Sequence, residues 1–364
     1  MIEAYITSVI AIFLAYIARS ERMKFALPLS FIVITVFLSL GYEWGNDVPT
    51  YFSWFEGYTR YSLFDFRSYE ELNQKSEFGW VFINQLCAPI GFYGMRAVLF
   101  CFENYVIYSL VKRIVPRNYY WFAVLVYTMN PNFMILGSSM MRQWLAMCIV
   151  VLAFLHLEKK HWVVYLVLIL ISFSIHRSSL MCLPFIFLPR FADKYRKGLM
   201  VALIPFFLLY YFLSDYWVGY LVGMLESDDM YSNYTSSEYS SGVGLLSIIQ
   251  FFIFIFMFYN IQHIEKNKRI YIAVLMAFGL ILPIYNYSGL AARLGYYFTV
   301  FTIGAYSLFV GQTKLPSLVK VTFVASIIVL TIFNNVMFFV NPMWFMFFGK
   351  YTTLMEAGII NINL

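Results

Sequence analysis

An all-α, polytopic membrane protein is the fold class this sequence predicts, on three observations. Hydrophobic residues fill 62% of the 364 positions and charged ones only 12%, about half the charged share of a soluble domain. The apolar residues come in runs of roughly 15–20, the length that crosses a bilayer core as helix. Most of the Lys and Arg residues sit in short clusters, and the apolar runs between consecutive clusters come mostly in pairs, as a chain returning to one side of a membrane requires.

The first run, Ala4 to Ala18, is followed at once by Arg19, Arg22 and Lys24 and reads as a retained first span rather than a cleaved signal. The further clusters are Lys112/Arg113/Arg117, Lys159/Lys160, Arg190/Lys194/Arg196/Lys197, Lys266/Lys268/Arg269 and Lys314/Lys320, all placed in the cytoplasm by the positive-inside rule. The loops left over are acidic. Residues 42–77 carry Glu43, Asp47, Glu56, Asp65, Glu70, Glu71 and Glu77, and residues 214–245 carry Asp215, Glu226, Asp228, Asp229 and Glu238 with no Lys or Arg; both loops are expected outside.

About twelve transmembrane helices follow, with a range of 11–13 and both termini outside. They fall at 4–18, 25–41, 94–111, 119–137, 139–157, 162–177, 179–190, 198–213, 246–261, 270–288, 294–312 and 321–341. The stretch before 94 holds a Pro89/Gly91 break, which predicts a half-entering segment ahead of a full span. Run 179–190 is too short for a perpendicular span, so some helices are expected to be short or re-entrant, lined by protein or a water-filled cavity. Residues 1–364 form a single integral membrane domain. Cys87, Cys101, Cys148 and Cys182 lie singly in apolar stretches, a pattern of packing residues rather than of disulfides or a metal knuckle.

Four arginines fall outside the cytoplasmic clusters yet within or at the ends of apolar segments: Arg96, Arg142, Arg177 and Arg293. An arginine in hydrocarbon costs a few kcal/mol and normally faces a cavity or partner. Arg142, Arg177 and Arg293 lie near outer span ends, where they either form a cationic cavity suited to a lipid-anchored pyrophosphate or snorkel to headgroups and loop carboxylates. His176 adjoins Arg177 in Ser174-Ile175-His176-Arg177-Ser178-Ser179 and can exchange a proton, bind an anion or cap the helix. Asp47, in the turn-rich Gly41-Tyr42-Glu43-Trp44-Gly45-Asn46-Asp47, is a candidate base at the membrane mouth or one more acid of an acidic loop. The nearby Trp44, Tyr51, Trp54, Phe55 and Tyr58 read as an interfacial belt before a sugar-stacking surface. Glu103, an acid inside a span, is either a functional candidate or the partner of Arg96, seven residues before it on the same helix face. Gly-rich phosphate loops and HExxH, GxSxG and DxD motifs do not occur, so no nucleotide, metal or other cofactor is expected.

The order and spacing of these residues resemble the EpsG-like branch of the Wzy-type O-antigen and exopolysaccharide polymerases. The family's Gly-x-Asp with a later Tyr is similar to Gly45-Asn46-Asp47 with Tyr51, and its Glu-x-Gly-aromatic to Glu77-Phe78-Gly79-Trp80. Its Arg-Gln-x-x-Ala resembles Arg142-Gln143-Trp144-Leu145-Ala146, its Phe-x-x-His with trailing serines resembles Phe173 to Ser179, and its late Arg with a Tyr resembles Arg293-Leu294-Gly295-Tyr296. The resemblance covers residues 42–297. It departs at Gly41, Tyr42 and Glu43, where the family often carries a basic residue.

The resemblance implies a multi-pass protein of the bacterial cytoplasmic (inner) membrane with its site facing the periplasm or outside. It implies a metal-independent glycosyltransferase joining undecaprenyl-pyrophosphate-linked oligosaccharide repeats into O-antigen, exopolysaccharide or capsule, with release of lipid pyrophosphate. Asp47 and His176 are then the catalytic candidates, Arg142, Arg177 and Arg293 the pyrophosphate ligands, and Gly45, Tyr51, Glu77, Gln143 and Tyr296 the support. Membrane lipid and a chain-length regulator are the expected partners, and nucleic acid is not. Two alternatives stand beside it: a flippase for the lipid-linked oligosaccharide, which would also have about twelve spans and needs charges reachable from both faces, and a membrane glycan O-acyltransferase, which needs a cytoplasmic donor entry with a catalytic His, for which the inner-edge His156 and His161 are the candidates.

Overall fold

The computed structural model describes residues 1–63, 77–188, 245–278 and 289–360, with isolated positions at 198, 201–202 and 205. The predicted outer loop 214–245 up to its last residue, the span 198–213 apart from isolated positions, residues 64–76 of the first loop, the end of the 270–288 span and the Arg190/Lys194/Arg196/Lys197 cluster lie outside the described residues.

The protein is an all-α polytopic membrane protein. The helices are α1 (Ile2–Ile17), α2 (Ala26–Leu40), α3 (Val48–Tyr58), α4 (Phe78–Leu86), α5 (Gly91–Ile114), α6 (Tyr120–Met129), α7 (Met134–Ser139), α8 (Met141–Glu158) and α9 (Trp162–Ile175). After the 3-10 helix Arg177–Phe187 and the segment not described, α10 (Leu245–Tyr259), α11 (Arg269–Phe278), α12 (Gly289–Thr299), α13 (Thr302–Gln312), α14 (Ser317–Val340) and α15 (Pro342–Phe348) complete the order.

Among the described residues four helical stretches are long and apolar enough to cross a bilayer, Glu21–Leu40, Met141–Glu158, Arg293–Gln312 and Ser317–Val340. A fifth consists of Phe78–Leu86 with Ala88–Ile114, bent by 49°. The bend falls where Pro89 and a left-handed Gly91 (φ 70°) were expected to break the chain. Several other predicted spans are shorter apolar helices, including Ile2–Ile17 and Trp162–Ile175. The predicted 119–137 helix is a correction: it stops at Met129 and resumes as the six-residue α7. Pro131 disfavours helix at the residue before it and cannot donate to the helical ladder, and Asn130 is accordingly extended.

Burial distinguishes the helices. Helix α8 is buried around almost its whole circumference and is packed against α9, α5 and α12. Helices α1, α9 and α14 instead leave continuous apolar faces uncovered, such as Leu318, Val321, Val329, Phe333 and Val340 along α14. Surfaces of that extent belong in lipid rather than water.

Polar contacts separate into two ends. At one end Glu21 pairs with Arg117, Gln312 bonds Glu265, and the fully buried Glu158 carboxylate gathers Arg113 (3.1 Å), Asn267 (3.1 Å) and Tyr271 (3.0 Å). The predicted cytoplasmic clusters at 19–24, 112–117, 159–160 and 266–269 flank these pairs. At the other end Met1 and Gly41, at the far ends of α1 and α2, meet the segment after α14: the Met1 amino group donates to Gly349 O and Gly41 bridges Thr353. Chain start and late segment thus share the end where the site residues lie.

Candidate functional site

The site is assembled on a turn. Gly45 adopts φ +130°, and a Cβ placed there would stand 2.8 Å from Ser139 Cβ, so this backbone both favours glycine by conformation and needs it for close approach. Ser139, the last residue of α7, donates to Asn46 Oδ1 (2.8 Å) and accepts the Asp47 backbone N–H (3.0 Å), while Asn46 Nδ2 donates to Asp47 Oδ1 (2.8 Å). Pro49 follows at the start of α3, where its missing N–H leaves no bond unmade. Asp47 occupies the cap position of α3, but its carboxylate makes no capping bond. Burial holds that carboxyl above its ordinary range, and the positive charges of Arg293 and Arg142 partly oppose the shift.

Glu77 is the junction of the cluster. One carboxylate oxygen accepts Arg142 Nη1 at 2.7 Å, with both side chains mostly shielded, and the other accepts the backbone N–H of Arg177 at 3.2 Å. Glycine two residues on is a packing requirement, because a Cβ on Gly79 would collide with Ser174 of α9. Arg142 also lies 5.1 Å from the Trp54 ring centroid, a cation–π contact, and within electrostatic range of Tyr51, which is itself buried edge-on against Trp80. Next along α8, Gln143 Nε2 donates to the backbone carbonyl of Arg293 at 2.6 Å. That bond ties α12 to α8 and fixes where the second arginine begins.

His176 ends α9. Ser178 Oγ and Tyr297 Oη both reach its Nδ1, at 2.5 and 3.3 Å, while its Nε2 makes no hydrogen bond among the described residues. Glu77, Arg142 and Arg293 surround the ring within electrostatic range. The predicted Asp47, Tyr51, Glu77, Arg142, Gln143, His176 and Arg293 are therefore brought together from five separate stretches of chain. Two predicted residues stand differently. Arg177 is exposed and enters through its backbone, its guanidinium making no bond among the described residues. Tyr296 is half-buried beside the cluster, and it is the neighbouring, fully buried Tyr297 that meets His176.

Two expectations are corrected. The aromatics of 44–58 do not form an interfacial belt: Trp44, Tyr51, Phe55 and Tyr58 are buried, Trp44 donating to Phe348 O at 3.1 Å. The α3 helix folds them inward because positions 48, 51, 55 and 58 share one helical face. Arg96 donates no hydrogen bond to Glu103; from a buried position it donates to the carbonyls of Gly41 (2.9 Å) and Tyr42 (2.7 Å), securing the chain just ahead of the Gly45 turn. Glu103 remains within its electrostatic range, with Oε2 buried and unbonded among the described residues. Sequence reasoning missed Ser139, Ser178 and Tyr297, and only the serines trailing His176 carried a signal.

The EpsG family pattern matches residues 24–353 of this chain. The chain belongs to the EpsG family. The match spans every site residue named above, and the family is associated with exopolysaccharide polymerisation. No curated protein and no solved structure matches the chain. Among the described residues no group of His, Cys, Asp and Glu is arranged to hold a metal ion.

Chemically, the cluster offers two arginines able to bind phosphate oxygens, a carboxylate destabilised by burial and an imidazole with one nitrogen unbonded among the described residues. Arg142, Asp47 and His176 are held through their side chains by Glu77, Asn46 and Ser178, and Arg293 through its backbone by Gln143.

Proposed function

We propose that this membrane protein extends a surface polysaccharide by glycosyl transfer between undecaprenyl-pyrophosphate-linked oligosaccharide repeats, on the outer face of the bacterial cytoplasmic membrane. The observation that carries the reading is the convergence of Arg142, Arg293, Asp47 and His176 at the end of the bundle opposite the basic clusters. The positive-inside rule makes that end the outer one.

In the proposed reaction a hydroxyl oxygen of one repeat bonds to the anomeric carbon of the other chain. The bond from that carbon to the pyrophosphate oxygen breaks, and lipid pyrophosphate leaves with the electron pair. Arg142 and Arg293 offset the negative charge that grows on it, in surroundings where such charges interact more strongly than in water. Asp47 or His176 takes the hydroxyl proton. Glu77 keeps Arg142 in place, Gln143 keeps Arg293 in place, and neither needs a metal ion for that role. The product class, O-antigen, capsule or exopolysaccharide, follows the repeat supplied, and a chain-length regulator would meet the acidic outer loops.

The test is the electrophoretic size profile of surface and lipid-linked glycan from cells lacking the gene, with and without a plasmid copy. A ladder that collapses to single repeats and is restored by the plasmid supports the reading. An unchanged ladder lighter by acetyl masses, or single repeats trapped on the inner face, overturns it in favour of acyl transfer or flipping.

A further inference from the structure

Beside the Asp47 turn lies an open recess of about 330 Å³, lined by Tyr42, Glu43, Trp44, Lys350, Thr352 and Ala357. That volume falls at the small end of ligand cavities. Its walls are firmly built. Tyr42 N donates to Thr352 O and Leu354 N to Leu40 O, each at 2.8 Å, Gly41 bridges Thr353, and Arg96 holds the Gly41 and Tyr42 carbonyls from behind. Trp44 is pinned by its bond to Phe348 O.

On this rigid frame the two charged side chains are exposed, and Glu43 and Lys350 form no ion pair with each other. Opposite charges in one small recess disfavour any simple ion, since either sign meets a like charge. They suit a ring bearing several hydroxyls, which donates to the carboxylate and accepts from the ammonium. The Tyr42 ring adds an apolar surface for the C–H face of such a ring. Trp44 stands three residues before Asp47, so the recess and the proposed base belong to the same turn of chain.

We infer that this recess is a saccharide subsite that holds an uncharged sugar ring of the oligosaccharide repeat. The inference rests on the polymerase reading for the identity of that sugar. It assigns Glu43, Lys350 and Tyr42 to substrate positioning, apart from the pyrophosphate cluster.

The test uses the full-length protein in lipid nanodiscs, titrated calorimetrically with lipid-free oligosaccharide released by mild acid from the host cell's own surface polysaccharide. Glu43→Gln and Lys350→Gln, both at exposed positions, are each expected to weaken its binding about tenfold, equivalent to about 1.4 kcal/mol. They should also shorten the glycan ladder in complemented cells and leave binding of undecaprenyl pyrophosphate unchanged. Wild-type protein that binds no oligosaccharide, or variants that bind it as wild type does, would overturn the subsite even where Arg142→Ala collapses the ladder. Weakened oligosaccharide binding in a chain whose deletion leaves the ladder intact would keep the subsite and sink the polymerase reading instead. Variants that lose pyrophosphate binding equally would assign the recess to the first cluster and overturn the proposal.

Discussion

The Glu77–Arg142 pair allows a prediction worked from geometry. At 2.7 Å, with Arg142 17% and Glu77 15% exposed, opposite unit charges in a medium of effective dielectric about 20 attract by about 6 kcal/mol. Dehydrating the two ions offsets most of that, and the Trp54 contact retains Arg142 in part when the carboxylate is removed. A net coupling of about 2 kcal/mol remains, within the range measured for adjacent charged residues. Glu77→Ala should therefore destabilise the protein by about 2–3 kcal/mol, because it strands Arg142 and removes the acceptor for Arg177 N–H. Glu77→Gln, which keeps that acceptor, should cost less. The measurement is thermal unfolding of the detergent-purified single and double variants, paired with the glycan ladder of cells expressing them. Glu77→Ala and Arg142→Ala effects that simply add would refute the reasoning, since they would show that the two side chains stabilise the fold independently.

Three further outcomes follow from the same cluster. Gly45→Ala should lower stability by about 2–3 kcal/mol and abolish long glycan chains, through the positive φ and the clash with Ser139; the melting temperature and ladder check it. Ser139→Ala removes one bond to Asn46 and one to the Asp47 backbone, so about 1–2 kcal/mol of stability and most chain extension should go, read by the same two assays. For pH, the Asp47 carboxyl is raised by burial, so if it is the base, chain extension should fall on its acid side at a pH above the ordinary carboxylate value of about 3.9. The same shift makes its stability contribution greatest below the unfolded value and lost as pH rises through the folded one; an Asp47→Asn variant that keeps the wild-type pH–rate profile would assign that limb to another group.

The sequence made the membrane class legible because apolar run length and Lys/Arg placement are read position by position. Pro89 with Gly91 announced a break for the same reason: both act on their own backbone. Pro131 acts just as locally, but the apolar run on either side of it reads as one continuous helix. The site was legible as residue types but not as contacts. Arg142 and Glu77 stood out as charges near apolar helices, yet nothing in either neighbourhood encodes that they pair across the fold. Ser139 carries no signal at all, since a serine ending an apolar run looks like any other, and its importance comes from a glycine in a distant segment. The 44–58 aromatics mislead because belts and buried helix faces use the same side chains; only the 3.6-residue spacing of Val48, Tyr51, Phe55 and Tyr58 separates them.

The adjacent Arg142 and Gln143 bear on how such a chain can change length. One side chain is committed to Glu77 and the next to the carbonyl of Arg293, so both partners depend on the same turn of α8. Inserting or deleting a single residue ahead of that turn would rotate it by about 100° relative to the rest of the helix, withdrawing both at once. Substitutions elsewhere along α8 change packing by degrees, whereas insertions and deletions there act as all-or-none lesions. Length variation among relatives of this protein should accordingly collect in the segments between helices and spare the stretch from Ser139 to Ala146.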